Sequence, residues 1–181
     1  MSERSLLDEL PGELMMWVLI VSELLVFGAG LAAFMAVRLT DVQGFAEAQS
    51  LLNRPLAGLN TIVLVTSGFL AALGVRAIEA GTPAKARRLF LLAAALGIVF
   101  LGIKLDEYAT DIRHGVGPDT HPFFMFYFLL TGFHAAHVSA GVLILGLLAV
   151  WPRAKAAEAG VAFWHMVDLV WVLLFPVVYA L

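Results

Sequence analysis

No cysteine occurs among the 181 residues. That absence excludes disulfides, thiolate catalysis and Cys-ligated zinc or iron–sulfur centres. Charge is scarce too: 14% of residues are charged, against roughly 25% in an ordinary soluble domain. The eleven Lys and Arg are scattered and the net charge is −3, so there is no electrostatic footprint for nucleic acid. Long polar stretches, low-complexity segments and internal repeats are also missing. What remains is apolar mass, 61% of the chain. No soluble core of this length could hold it, so the expected solvent is lipid.

A membrane helix needs about 20 mostly apolar residues. Five segments qualify: Leu14–Val37, Leu56–Ile78, Leu89–Tyr108, Pro122–Val150 and Val161–Leu181. The expected fold is therefore all-α, a single domain of five transmembrane helices over residues 1–181. Breakers and charges separate the spans, from Asp41, Gln43 and Gly44 in the first loop to Trp151-Pro152-Arg153 in the last. The first twelve residues hold Arg4 against Glu3, Asp8 and Glu9, and the apolar run after them is too long for a signal peptide. The first span is expected to stay in the protein.

Lys and Arg set orientation in membranes. Arg4, Arg76, Lys85, Arg87, Arg88, Arg153 and Lys155 fall on one side, with Arg38, Arg54 and Arg113 on the other. This predicts a cytoplasmic N-terminus and a periplasmic C-terminus. Trp17, Trp151 and Trp164 fit an aromatic belt at the cytoplasmic interface. Arg76, Lys85, Arg87 and Arg88 read as a topology signal, with phospholipid headgroups as the functional option. Small residues recur every four positions as Gly28, Ala32 and Ala36, as Ala93 and Gly97, and as Gly132, Ala136 and Ala140. Such stripes are packing seams between membrane helices, and docking of a separate subunit is the sharper alternative.

Ionisable groups at membrane depth are functional candidates. Glu23 sits roughly 14 Å into the first span. His165 and Asp168, at i and i+3, share a face of the fifth span and can bond one another. His134 and His137 are spaced the same way near the middle of the fourth span. Lys104, Asp106 and Glu107 lie toward the outer end of the third, near Asn60 and Thr61 of the second. Lys104–Glu107 reads as an i, i+3 ion pair near the outer surface, snorkelling toward water. His114 and His121 read as solvated loop residues without partners.

Several chemistries compete for these groups. Bis-histidine haem needs imidazoles at matched depth on facing helices, whereas His134 and His137 share one helix. A mixed metal site would need Glu23 to meet both of them. Neither is expected, so no metal or cofactor-binding residues are assigned. A proton relay through Ser22, Glu23, His165 and Asp168 would suit an autonomous proton-coupled transporter. The plainer alternative is that these groups pair with one another, with backbone carbonyls or with lipid headgroups, and fix helix packing.

Five motifs then point to one family. Trp17-x4-Ser22-Glu23, Leu59-Asn60-Thr61 with Ser67-Gly68, and Lys104-x-x-Glu107-Tyr108 occur in order along the chain. Thr131-Gly132-Phe133-His134-x-x-His137-Val138-x3-Gly141 and Trp164-His165-x-x-Asp168-x-x-Trp171 follow. Together they resemble haem–copper oxidase subunit III over nearly the whole length. The familiar mitochondrial member has seven helices, of which this chain would lack the first two. Bacterial ubiquinol oxidases have five-helix versions. The short loops, with Pro11-Gly12-Glu13 and Phe175-Pro176-x-x-Tyr179, look closer still to a short branch associated with nitric oxide reductase.

The resemblance implies an accessory subunit without catalytic residues or metals, in a bacterial inner membrane. It would dock beside a haem-bearing catalytic subunit of nitric oxide reductase or of a terminal oxidase. Glu23 matches the family's intramembrane carboxylate, which reacts with carbodiimide, and His134, His137, His165 and Asp168 match its helix-face motifs. In the oxidases this subunit binds phospholipids in a cleft, supports proton uptake and protects against turnover inactivation. That cleft lies between the two missing helices and the rest, so a structural phospholipid there does not follow for this chain. A proton-path role would not transfer to the nitric oxide reductase branch. The expected function is an accessory subunit of a respiratory complex, with nitric oxide reductase as the leading partner and an oxidase as the alternative. A lipid-binding assembly factor that leaves the finished enzyme is a further possibility.

Overall fold

A computed structural model describes residues 14–181. Arg4, the signal-peptide question and the Pro11-Gly12-Glu13 flank lie outside the described residues. The chain forms α1 (Leu14–Arg38), α2 (Val42–Ser50), α3 (Arg54–Glu79), α4 (Pro83–Arg113), α5 (Pro122–Val150) and α6 (Ala154–Phe175). A π-helical turn over Pro176–Ala180 follows. Among the described residues there is no strand, and five helices are long and apolar enough to cross a membrane. The spans run alternately up and down. The end where α1 begins is called the starting end and the opposite one the finishing end.

The fourth span matches its helix end to end, while others extend past the apolar runs. α4 begins at Pro83 and reaches Arg113, because charge limits a stretch in lipid but not a helix projecting beyond it. Pro83 occupies a first-turn position where its missing N–H goes unneeded. α6 starts at Ala154, since Ala154–Ala159 is rich in good helix formers. The short helix α2 was not expected. It is too polar to cross a membrane, yet Phe45, Ala48 and Gln49 share one buried face.

Turns follow from local chemistry. Gly81 (φ +68) and Gly115 (φ +77) take the left-handed conformation after α3 and α4, which glycine adopts without a Cβ penalty. At the first turn, Thr82 N donates to Ala77 O at 2.8 Å and Gly81 N to Ile78 O at 2.9 Å, closing the orphan carbonyls of α3. At the start of α2, Asp41 Oδ1 accepts from Gly44 N at 3.0 Å. Its Oδ2 lies 3.3 Å from His121 Nε2. His121 Nδ1 accepts from Phe123 N at 3.1 Å, capping α5. That nitrogen carries no hydrogen, so Nε2–H donates to Asp41. The loop histidine expected to lack a partner thus joins two helix starts, because both caps fall at the finishing end.

Helices α3, α4, α5 and α6 close a four-membered ring, and α1 packs chiefly on α5 and α6. Of the most apolar 18 residues of each span, 11% are buried in α1 and 50% in α6. The core gathers on α6: Trp164 and Trp171 are both fully buried. Trp164 is therefore no belt residue. Its ring fills a notch where Cβ atoms on Gly97 and Gly141 would come within 2.9 and 2.2 Å of it. Ala93 and Gly97 form a true internal seam. The other two stripes do not, since Gly28, Ala32, Ala36, Ala136 and Ala140 are exposed. Small side chains give no preference between lipid and protein when both are apolar.

At the finishing end, Pro176 has no N–H to continue α6, and Leu181 N instead bonds Pro176 O at 2.9 Å, a widened turn. Gln49 Nε2 donates to Val178 O at 2.8 Å, and Arg38 Nη2 donates to Leu181 O.

Two outcomes test this packing. Gly141→Ala should lower the thermal unfolding midpoint in detergent, at a cost of about 1–3 kcal/mol from overpacking. Gly28→Ala should leave the midpoint unchanged, since nothing lies within 4 Å of the added methyl. The Gly44 N–H, and then His121, hold the Asp41 carboxyl below the usual carboxylate range. A depressed folded-state pKa adds stability above the unfolded value, lost as pH falls through the folded value. Asp41→Ala should therefore flatten the acid limb of a stability–pH profile relative to the native protein.

Candidate functional site

The polar residues at membrane depth fall into three clusters. In the half of the bundle toward the starting end, His165 Nδ1 lies 3.5 Å from Asp168 Oδ2 on α6. Helical spacing makes this contact, and α3 makes room for it. A Cβ on Gly68 would sit 2.0 Å from Asp168 Oδ2 and 3.3 Å from His165 Nδ1. The other Asp168 oxygen is buried without a hydrogen-bond partner. His165 is half exposed, its side chain 47% accessible.

The middle cluster joins α1 to α5. His137 Nε2 lies 3.2 Å from Glu23 Oε2, an ion-pair contact without a well-aligned hydrogen bond. His137 Nδ1 is 2.9 Å from Phe133 O. A carbonyl only accepts, so Nδ1 carries a hydrogen.

His134, one turn before His137, does not join them. It is fully buried and neither ring nitrogen has a hydrogen-bond partner. Its ring stacks on Trp171 at 5.1 Å and meets Phe100 edge-on at 5.6 Å. Around it, Asn60 Nδ2 donates to Phe100 O at 3.2 Å and Trp171 Nε1 to Thr61 Oγ1 at 2.9 Å. Among the described residues no group of three His, Asp or Glu is placed to hold a metal ion. Nor does the relay from Ser22 through Glu23 to His165 and Asp168 assemble. Ser22 Oγ donates to Leu19 O at 2.8 Å, and Glu23 turns to α5. The rotation of α1 about its axis decides this, and it follows from Phe27 and Phe34 burying against α5.

Toward the finishing end, Lys104 is 1% exposed and Glu107 5%. The pair is therefore interior and does not snorkel. Lys104 Nζ donates to Glu107 Oε2 at 2.9 Å, Tyr127 Oη at 3.2 Å and Tyr179 Oη at 2.8 Å. Three ammonium hydrogens meet three acceptors. Tyr179 donates onward to Glu107 Oε1 at 3.0 Å and Tyr127 to Asp111 Oδ2 at 3.2 Å. The rings of Tyr108 and Tyr127 lie 4.7 Å from the ammonium, close enough for cation–π attraction. Lys104, Glu107, Tyr108 and Asp111 share a face of α4 by their 3–4 residue spacing. Asp111 was the readable member that sequence reasoning passed over. Tyr127 and Tyr179 come from α5 and the π-helical turn, which no spacing rule connects to α4.

The cytochrome c oxidase subunit III family profile matches residues 12–181. Cytochrome c oxidase subunit 3 of Thermostichus vulcanus is 32% identical over 174 residues, covering 91% of this chain and 84% of the relative. The subunit 3 of Corynebacterium diphtheriae is 36% identical over 173 residues, with 90% and 84% covered. Subunit 3 of the cytochrome bo(3) ubiquinol oxidase of Pseudomonas aeruginosa is 29% identical over 171 residues, with 90% and 81% covered.

The Lys104 cluster yields a direct test. Removing one member of a buried ion pair leaves an uncompensated charge and typically costs about 3–5 kcal/mol, whereas apolar replacement of both is far milder. Lys104→Met should therefore destabilise the bundle strongly. Adding Glu107→Leu to it should recover much of the loss, read by thermal unfolding in detergent.

Proposed function

The chain belongs to the cytochrome c oxidase subunit III family, and from that premise we propose that it is the accessory subunit of a bacterial terminal oxidase. It is a multi-pass membrane protein, and a bacterial inner membrane fits its bacterial relatives. The observation that carries the proposal is the profile match over residues 12–181, with relatives named for cytochrome c and ubiquinol oxidases. These names favour an oxidase over nitric oxide reductase, the partner that the short loops and the Pro11-Gly12-Glu13 and Phe175-Pro176-x-x-Tyr179 flanks suggested. In this reading the chain docks beside the haem-bearing catalytic subunit and supplies no reacting group of its own. Its buried polar clusters serve to hold the helices in register: Glu23–His137 ties α1 to α5, and the Lys104 cluster ties α4, α5 and the chain's last turn.

Such a subunit needs a constant shape at its partner's side. The closed hydrogen-bond accounting around Lys104 suits that role better than transport, which needs polar groups free to exchange protons with both faces. The periplasmic placement of the C-terminus inferred from Lys and Arg belongs to the same proposal.

Purification through a tag on this chain, from native membranes in mild detergent, tests the assignment. A haem-bearing oxidase subunit at fixed stoichiometry is expected, with oxygen consumption in the purified complex. Nitric oxide reduction in its place would reassign the partner. Recovery of this chain only with partly assembled complexes would identify an assembly factor, and proton flux from the chain alone in liposomes would identify a transporter.

A further inference from the structure

Inside a membrane bundle no bulk water satisfies a polar atom, so each buried donor or acceptor needs a partner of its own. Two atoms one turn apart on α6 have none among the described residues. Trp164 Nε1 and Asp168 Oδ1 are both buried, and neither forms a hydrogen bond within the chain. They are complementary, since an indole nitrogen only donates and a carboxylate oxygen accepts. A buried polar atom without a protein partner marks a place for an ordered water.

The glycine notches show which way each group turns. A Cβ on Gly141 of α5 would stand 2.2 Å from Cε3 of Trp164, and one on Gly97 of α4 would stand 2.9 Å from Cη2. One edge of the indole therefore lies on α5 and its tip on α4. Nε1 is on the opposite edge from Cε3, so it faces the α3 side of the ring. The Asp168 carboxylate turns to the same helix, where a Cβ on Gly68 would stand 2.0 Å from Oδ2. Residues four apart on a helix are neighbours on one face. Side chains lean toward the helix start, which carries the carboxylate back over the turn of Trp164. On α3, beside Gly68, Ser67 is fully buried and its hydroxyl donates to Ala93 O at 2.7 Å. Its oxygen keeps lone pairs free to accept.

We propose that the corner between α3, α4 and α6 binds one ordered water, which accepts from Trp164 Nε1 and donates to Asp168 Oδ1 and Ser67 Oγ. Three hydrogen bonds are the usual complement of a buried water. The water replaces the direct bond that Trp164 and Asp168 do not make. It also links the half-exposed His165 to the bundle centre, in the order His165, Asp168, water, Trp164. The site belongs to this chain alone and is independent of which respiratory partner the chain serves.

A density map of the full chain in its native complex, at a resolution that shows ordered water, is the first test. It should hold one peak within hydrogen-bond reach, about 2.7–3.2 Å, of Trp164 Nε1, Asp168 Oδ1 and Ser67 Oγ. A map without that peak, or with Nε1 bonded directly to Asp168, overturns the proposal. Nuclear magnetic resonance of the full chain, labelled with ¹⁵N in its indoles, supplies a second reading. Loss of one signal in Trp164→Phe identifies the Trp164 N–H, which should resonate downfield as a hydrogen-bonded proton. Asp168→Leu removes an acceptor and should shift that proton upfield, while the Trp171 N–H, bonded to Thr61, keeps its position. A native Trp164 proton already at the unbonded position overturns the proposal, as does one that Asp168→Leu leaves unmoved. The map and the native spectrum decide the matter even where Asp168→Leu fails to fold.

Discussion

Apolar surface gains little by leaving lipid for protein, so membrane helices associate where they fit one another more closely than lipid can. In this bundle that condition is met around α6. Four glycine notches serve it: Gly68 for the His165–Asp168 pair, Gly97 and Gly141 for Trp164, and Gly160 for the side chains of Ile144 and Leu148 on α5. The notches on α3, α4 and α5 receive or surround α6, and the remaining one lies on α6 itself. The ring α3–α4–α5–α6 then follows as the arrangement in which every notch is filled.

Polar groups add direction to this fit. Most of them join two helices. Asn60 and Ser67 of α3 donate to carbonyls of α4, at Phe100 and Ala93. Trp171 of α6 reaches Thr61 of α3. Lys104 binds α5 and the last turn together through two phenols. A polar side chain in lipid is costly unless it finds a partner, and a partner on another helix converts that cost into a preference for one register. Trp164 Nε1 finds no hydrogen-bond partner among the described residues, and His134 is a second exception. It packs as a flat ring between Phe100 and Trp171, and the structure offers no hydrogen bond that explains why the position is a histidine.

The spans were legible because twenty apolar residues have few other uses. Contacts within one helix were legible too: Lys104–Glu107 and His165–Asp168 follow from spacing alone. Contacts between helices were not. Glu23 could have faced α6 or α5, and only the burial of Phe27 and Phe34 settles the rotation of α1. Lys104 read as a snorkelling residue because its distance from the helix end is compatible with reaching water. The turn that folds Tyr179 back over it depends on Pro176, whose effect on the path of the chain is not encoded in hydropathy. Small-residue stripes were the poorest guide. The same four-residue repeat packs inside the bundle on α4 and faces outward on α1 and α5.

The placement of α1 has a consequence for synthesis. Its chief neighbours, α5 and α6, are made after α3 and α4, which are consecutive and form the most extensive contact. The α3–α4 hairpin can therefore assemble as soon as it enters the membrane, while α1 must wait. During that interval Glu23 lies in the bilayer without His137, and Arg38 without the carbonyl of Leu181. Until α5 and α6 follow, α1 presents an unpartnered carboxyl to the membrane's insertion and quality-control machinery. That exposed state lasts while α2, α3 and α4 are made.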